Sequence, residues 1–173
     1  INYVLQSAHL VSEAKAILLT ELEKSTAPYY FMSSLSSIAE NDGDDETALD
    51  WRRKAYESSQ GAATRFQWGA NYVRTLIRLT PEDDRLIVTT AMTLLLDIDS
   101  EEDTFSGRNF RVLRSMTKSL RQWAEENALG DSNTDEENTN NNGLIGSYNK
   151  LIETRCKAQE SGTTALENCA TLI

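Results

Sequence analysis

Ala62-Ala63-Thr64-Arg65-Phe66-Gln67-Trp68-Gly69-Ala70-Asn71-Tyr72-Val73-Arg74-Thr75-Leu76-Ile77-Arg78-Leu79-Thr80-Pro81-Glu82-Asp83 is the stretch whose reading decides the fold. Phe66, Gly69, Ala70, Val73 and Ile77 recur with the helical period and share one face, which predicts a helix over about 62–79. Gly69 on that face is small enough to admit a close helix crossing. Thr80 suits an N-cap, Pro81 the first helical position and Asp83 the end of a capping box, so a second helix should start here and run to about Leu96. The stretch is one half of a helical hairpin.

Working outward, the same signals repeat. Leu10, Ala14, Ile17, Leu18 and Leu22 form a stripe that predicts a first helix over about 3–24. Pro28 opens a second helix from Tyr29 to Ala39, which should stop at Asn41-Asp42-Gly43. Asp44 and Asp45 suit the start of a third, with Ala48, Trp51, Ala55 and Ser59 on one face and Gly61 at its end. Beyond the acidic run 97–103, a sixth helix over about 107–127 aligns Phe110, Leu113, Met116, Thr117, Leu120 and Trp123. Residues 128–143, rich in Asn and acids, are expected as a flexible loop. A seventh helix over about 144–158 then leads into a short tail. Pro28 and Ala62, each opening a hairpin, lie 34 residues apart, the period of tetratricopeptide-type repeats. The expectation is a single all-α domain of about seven helices, with a tetratricopeptide-like hairpin core over 28–98.

Composition agrees and excludes several classes of function. The 173 residues hold only 2 prolines and 8 glycines, and the hydrophobic share of 39% supports a packed core rather than a disordered chain. No run reaches the ~18 apolar residues of a membrane span. A net charge of −10 argues against nucleic acid as the main partner. The chain opens Ile1-Asn2-Tyr3, without Met or a charged-then-apolar leader, which fits a piece cut from something longer.

Little in the chain promises catalysis. His9 is the only histidine and has no second ligand at metal spacing, so no metal site, no cofactor and no enzyme activity are expected of it. The acids at 40–50 read as a solvated helix start, because Ile38 stands where a calcium loop needs its first Asp. Two binding surfaces remain. Arg65, Trp68 and Tyr72, spaced i, i+3, i+7, either line a groove or pack in the core. Arg108, Arg111, Arg114, Lys118 and Arg121 share one broad helical face, and 108–123 carries five cations and no acid. That face is either solvated or a dock for an acidic partner or a neighbouring domain. Cys156 and Cys169 lie 13 apart with Ser161-Gly162 between them, so a turn can join them, or they stay a free pair.

Pro28-Tyr29-Tyr30-Phe31-Met32, Ala48-Leu49-Asp50-Trp51, Lys54-Ala55-Tyr56-Glu57 and above all Ala63-Thr64-Arg65-Phe66-Gln67-Trp68-Gly69 resemble the helical C-terminal region of a group of bacterial thioredoxin-family proteins. Leu76-Ile77-Arg78-Leu79-Thr80-Pro81 and the late cysteine pair fit the same likeness. The resemblance implies an exported, periplasmic protein whose redox cysteines sit in a separate thioredoxin fold. This sequence has no Cys-x-x-Cys, so redox chemistry carries over to none of its residues. What carries over is an accessory helical module with protein clients or an adjoining thioredoxin-like domain as partner. It also implies an oxidising compartment, in which a Cys156–Cys169 disulfide persists.

Overall fold

The computed structural model describes residues 10–98, 104–129, 138–159 and 163–173. These residues form eight helices and no strands. The helices are α1 (Val11–Leu22), α2 (Tyr29–Asn41), α3 (Asp45–Ser58), α4 (Ala62–Leu79), α5 (Asp84–Asp97), α6 (Gly107–Leu129), α7 (Asn138–Lys157) and α8 (Thr164–Ala170). The all-α expectation holds. The chain divides into two compact units, Ile1–Gly61 and Ala62–Ile173.

In the first unit α2 packs on both α1 and α3. Leu18, Leu35 and Ile38 form a buried cluster flanked by Val11, Leu22, Phe31 and Trp51. Two polar groups lock the α2–α3 hairpin from inside. The Ser36 hydroxyl donates to the Ala48 carbonyl at 2.7 Å, and Arg52 Nη1 donates to Ser33 Oγ at 2.6 Å. A positive φ of 76° at Gly43 makes the tight turn between these helices, a conformation in which a Cβ is strained. Asp44 caps α3 by accepting from the Thr47 N–H at 3.1 Å.

The Thr47 hydroxyl and N–H hold the Asp44 carboxyl below its ordinary value of 3.8. Asp50 is lowered too, first by its bond to Lys54, which outweighs the opposing effect of burial, and then by Arg53. A carboxylate depressed in the folded state contributes stability that is complete above its unfolded value and lost as pH falls through its folded value. The first unit is therefore expected to lose stability below about pH 4. An Asp44→Asn, Asp50→Asn variant should lose less over that range. Circular dichroism melts at pH 5 and pH 2.5 check this, and equal losses in both proteins would refute it.

The second unit is a ring of four helices. α4 packs on α5 and on α6, and α7 closes the ring by packing on α5 and on α6. Phe66, Ala70, Val73 and Leu76 of α4, Ile87, Ala91 and Leu94 of α5, Leu113, Met116 and Leu120 of α6, and Tyr148 and Ile152 of α7 are all buried among these packed helices. Every residue of the expected α6 stripe, including Thr117 and Trp123, is buried. Gly69 does what its size allows. A Cβ there would collide with both terminal methyls of Leu94, itself only 1% exposed.

Four local expectations are corrected. Asp83, not Thr80, caps α5, accepting from the Leu86 N–H at 3.2 Å. The Thr80 hydroxyl turns back to the Leu76 carbonyl at 3.2 Å, and Pro81 stays in the turn with its carbonyl bound by the Trp123 indole at 2.9 Å. Residues 138–143, expected as loop, open α7 instead, since extending a helix anchored in the core adds one hydrogen bond per residue fixed. Residues 128–129 of that expected loop extend α6, and residues 97–98 of the acidic run close α5; the remaining 130–137 and 99–103, and the turn at Ser161-Gly162, lie outside the described residues. The first described helix starts at Val11, with Leu10 outside it as its cap, and ends at Leu22, two residues before the expected end; the expected stretch 3–9, with His9, lies outside the described residues. The expected short tail is itself largely helical. It forms α8, capped by Thr163, whose side chain accepts from the Leu166 N–H at 3.3 Å.

Candidate functional site

The basic face of α6 follows directly from its sequence. With Phe110, Leu113, Met116, Leu120 and Trp123 committed to the interior, the 3.6-residue period turns Arg108, Arg111, Arg114 and Lys118 outward, and all four are exposed. None of the four makes an ion pair among the described residues. The contrast with α3 is informative. There Arg53 bridges Asp50 at 2.7 Å and Glu57 at 2.9 Å, and Lys54 reaches Asp50 at 2.6 Å. Acids placed i, i+3 and i+4 neutralise the α3 cations, and α6 has no acid at those spacings until Glu125.

Arg121, the fifth cation of this face, is set apart. It is half-buried, and its Nε and Nη2 donate to Asn149 Oδ1 of α7 at 3.2 and 2.9 Å. Nη2 also donates to the Leu172 carbonyl at 2.6 Å. Sequence reasoning placed Arg121 with the other four cations on one face, either solvated or a dock. The structure makes it the clasp that holds the C-terminal turn against α6 and α7. Asn149 carries no signal in the sequence, because its relation to Arg121 exists only once the helices pack.

Behind the clasp lie the two cysteines. Cys156 near the end of α7 and Cys169 in α8 are joined by a disulfide, with a Cα–Cα distance of 5.5 Å and both residues buried. α8 is further held by Asn168, whose Nδ2 donates to the Phe105 carbonyl at 2.8 Å. Two clefts flank the Arg121–Leu172 contact. One of about 490 Å³ is lined by Arg114, Thr117, Lys118, Arg121, Gln122, Glu125, Thr171 and Leu172. A smaller one of about 290 Å³ is bordered by Arg121, Asn149, Glu153, Leu172 and Ile173. Thr117, in the wall of the larger cleft, shares a 2.7 Å hydrogen bond with the Tyr148 hydroxyl. Burial pushes that phenol well above its ordinary range, an effect the Thr117 bond only partly offsets, so Tyr148 stays protonated.

The second candidate surface is less open. Tyr72 is only 7% exposed, and Arg65 and Trp68 are half-buried. All three are engaged with neighbours within the fold. On the far side of the same helix, Arg74 bonds Ser115 of α6 at 2.9 Å and Gln67 bonds Asn109 at 3.2 Å, so it is that opposite side of α4 that packs against α6. Among the described residues, no group of three His, Cys, Asp or Glu side chains is placed to hold a metal ion, and no helix is long and apolar enough to cross a membrane. No protein-family model, curated protein or solved structure matches the chain.

Proposed function

We propose that this chain is a non-catalytic helical protein-interaction module. It accompanies a thioredoxin-like domain and helps select or position protein clients for thiol–disulfide chemistry. The observation that carries this reading is the unneutralised cationic face of α6, with Arg108, Arg111, Arg114 and Lys118 exposed and without ion pairs among the described residues in a chain of net charge −10. A field of one sign set in a field of the other steers and orients an acidic partner. The buried Cys156–Cys169 bridge supports an oxidising, periplasmic or otherwise exported setting. The run Arg65-Phe66-Gln67-Trp68-Gly69 supports the bacterial thioredoxin-family affiliation. The hairpins α2–α3 and α4–α5, opened 34 residues apart, support a tetratricopeptide-like ancestry for the helical pairs.

The same face favours one other reading, a purely structural domain that docks on the thioredoxin fold and orients it. Arg111→Glu with Arg114→Glu separates the two. Both side chains are exposed, so the melting temperature should hold. Under the module reading, clients captured from periplasmic extract by the full-length protein should bind about tenfold more weakly, or ~1.4 kcal/mol, with a shallower salt dependence. Unchanged client capture together with loosened docking of the thioredoxin-like domain would replace the first reading with the second.

A further inference from the structure

The basic face narrows to a built site at one end. Arg114, Lys118 and Arg121 stand at i, i+4 and i+7, which spaces them over about 10 Å of helix axis. All three line the 490 Å³ cleft, whose opposite wall is the C-terminal turn at Thr171 and Leu172. Glu125 contributes the single negative charge of the lining and Gln122 an amide. Arg121 differs from its neighbours in being fixed. Its partners, the Asn149 side-chain oxygen and the Leu172 carbonyl, are neutral, so they orient the guanidinium without cancelling its charge. Nη1 donates no hydrogen bond among the described residues. A guanidinium held in place, half-shielded from water and with donors to spare, meets a carboxylate with little further loss of side-chain entropy.

We propose that this cleft binds an acidic peptide segment in extended conformation. Arg121 takes one carboxylate at the base of the cleft, and Arg114 and Lys118 take the next acidic side chain on the same side. Alternate residues of an extended chain project about 6.7 Å apart, which fits two carboxylates within the ~10 Å spanned by the three cations. The cleft volume suits side chains rather than a folded surface. Glu125, one turn beyond Arg121, repels a further carboxylate at that end of the cleft. The proposal rests on the interaction-module reading and names the chemistry of its partner.

The test is fluorescence anisotropy of a labelled peptide of alternating Glu and Ala, titrated with the disulfide-intact chain at low salt. Arg121→Gln is expected to weaken binding at least about tenfold, and Arg114→Gln with Lys118→Gln by a similar factor. Arg108→Gln with Arg111→Gln, outside the cleft, is expected to change it less than about threefold. Because Arg121 also clasps the tail, the Arg114/Lys118 variant serves as the arm with no structural role. Wild-type binding by both cleft variants would overturn the proposal. If the Arg108/Arg111 variant alone then lost the peptide, the interaction module would survive with its surface elsewhere. A wild-type chain that ignores the peptide, or binds inorganic phosphate more tightly, would also overturn it, while client capture decides the module reading separately.

Discussion

Trp123→Ala should be the most damaging single substitution on α6, lowering the stability of the second unit by about 3–5 kcal/mol. Trp123 is 3% exposed, and its indole N–H donates to the Pro81 carbonyl at 2.9 Å. Its ring therefore fills the interior, while its one polar atom closes the turn between α4 and α5. Truncation removes both and leaves a cavity that the surrounding helices fill only in part. At about 4 °C per kcal/mol for a unit of this size, the melting temperature should fall by roughly 12–20 °C. Trp123→Phe separates the two contributions. It keeps most of the buried ring and loses only the hydrogen bond, so it should cost about 1–2 kcal/mol. Denaturant midpoints measure both, and a Trp123→Ala protein within about 1 kcal/mol of wild type would show that the turn is not held this way.

Replacing both bridge cysteines, Cys156→Ala with Cys169→Ala, should have the next largest effect, and a more local one. Closing a loop of 13 residues restrains the unfolded chain by roughly 3 kcal/mol. The loss at equilibrium is capped, however, by the free energy that holds the tail to the fold, because the tail can detach while α4–α7 stay packed. Without the bridge, the remaining ties are the Arg121–Leu172 and Asn168–Phe105 hydrogen bonds and the buried Leu172 side chain. A helix of seven residues such as α8 does not persist alone. Amide exchange of residues 164–172 is therefore expected to quicken at least about 30-fold, with amides in α4 and α6 nearly unchanged. Equal acceleration throughout α4–α8 would mean that the bridge supports the whole unit. No acceleration would mean that it supports nothing.

Both predictions concern features whose legibility in the sequence differed. The interior face of α6 was plain, because Phe110, Leu113, Met116, Leu120 and Trp123 repeat at the helical period and no other arrangement buries them together. The α4 boundaries were plain too, with Gly61 before the helix and Thr80-Pro81 after it. The α5 cap was misassigned within three residues. Thr80 and Asp83 both offer an oxygen, but the Thr80 hydroxyl turns back to the Leu76 carbonyl, which also accepts the Thr80 N–H at 2.8 Å, and the Leu86 N–H is left to Asp83. The start of α8 did carry a signal in Thr163 and Leu166, but a seven-residue segment is decided by what anchors it. The basic face was visible as spacing alone.

The local rules of the chain, its helical periods, turn glycines and capping acids, determined by themselves that this protein is all-helical and which face of α6 is buried, whereas Leu10 and Ile17 of the stripe expected for α1 are exposed. They also determined that α6 presents five cations in a row of one-sided spacing. Each of those properties depends on residues within a turn or two of one another, and such interactions need no knowledge of the rest of the chain. Tertiary structure alone decided that α7 closes a four-helix ring, that Tyr72 packs inward, and that Arg121 is a clasp rather than a solvated charge. Arg121 and Leu172 are 51 residues apart, and nothing in either neighbourhood encodes the other. Their meeting follows from the packing of α6 against α7 and from the bridge between α7 and α8. Burial is a property of the assembled helices, so the difference between one arginine and its four neighbours appears only when they are assembled.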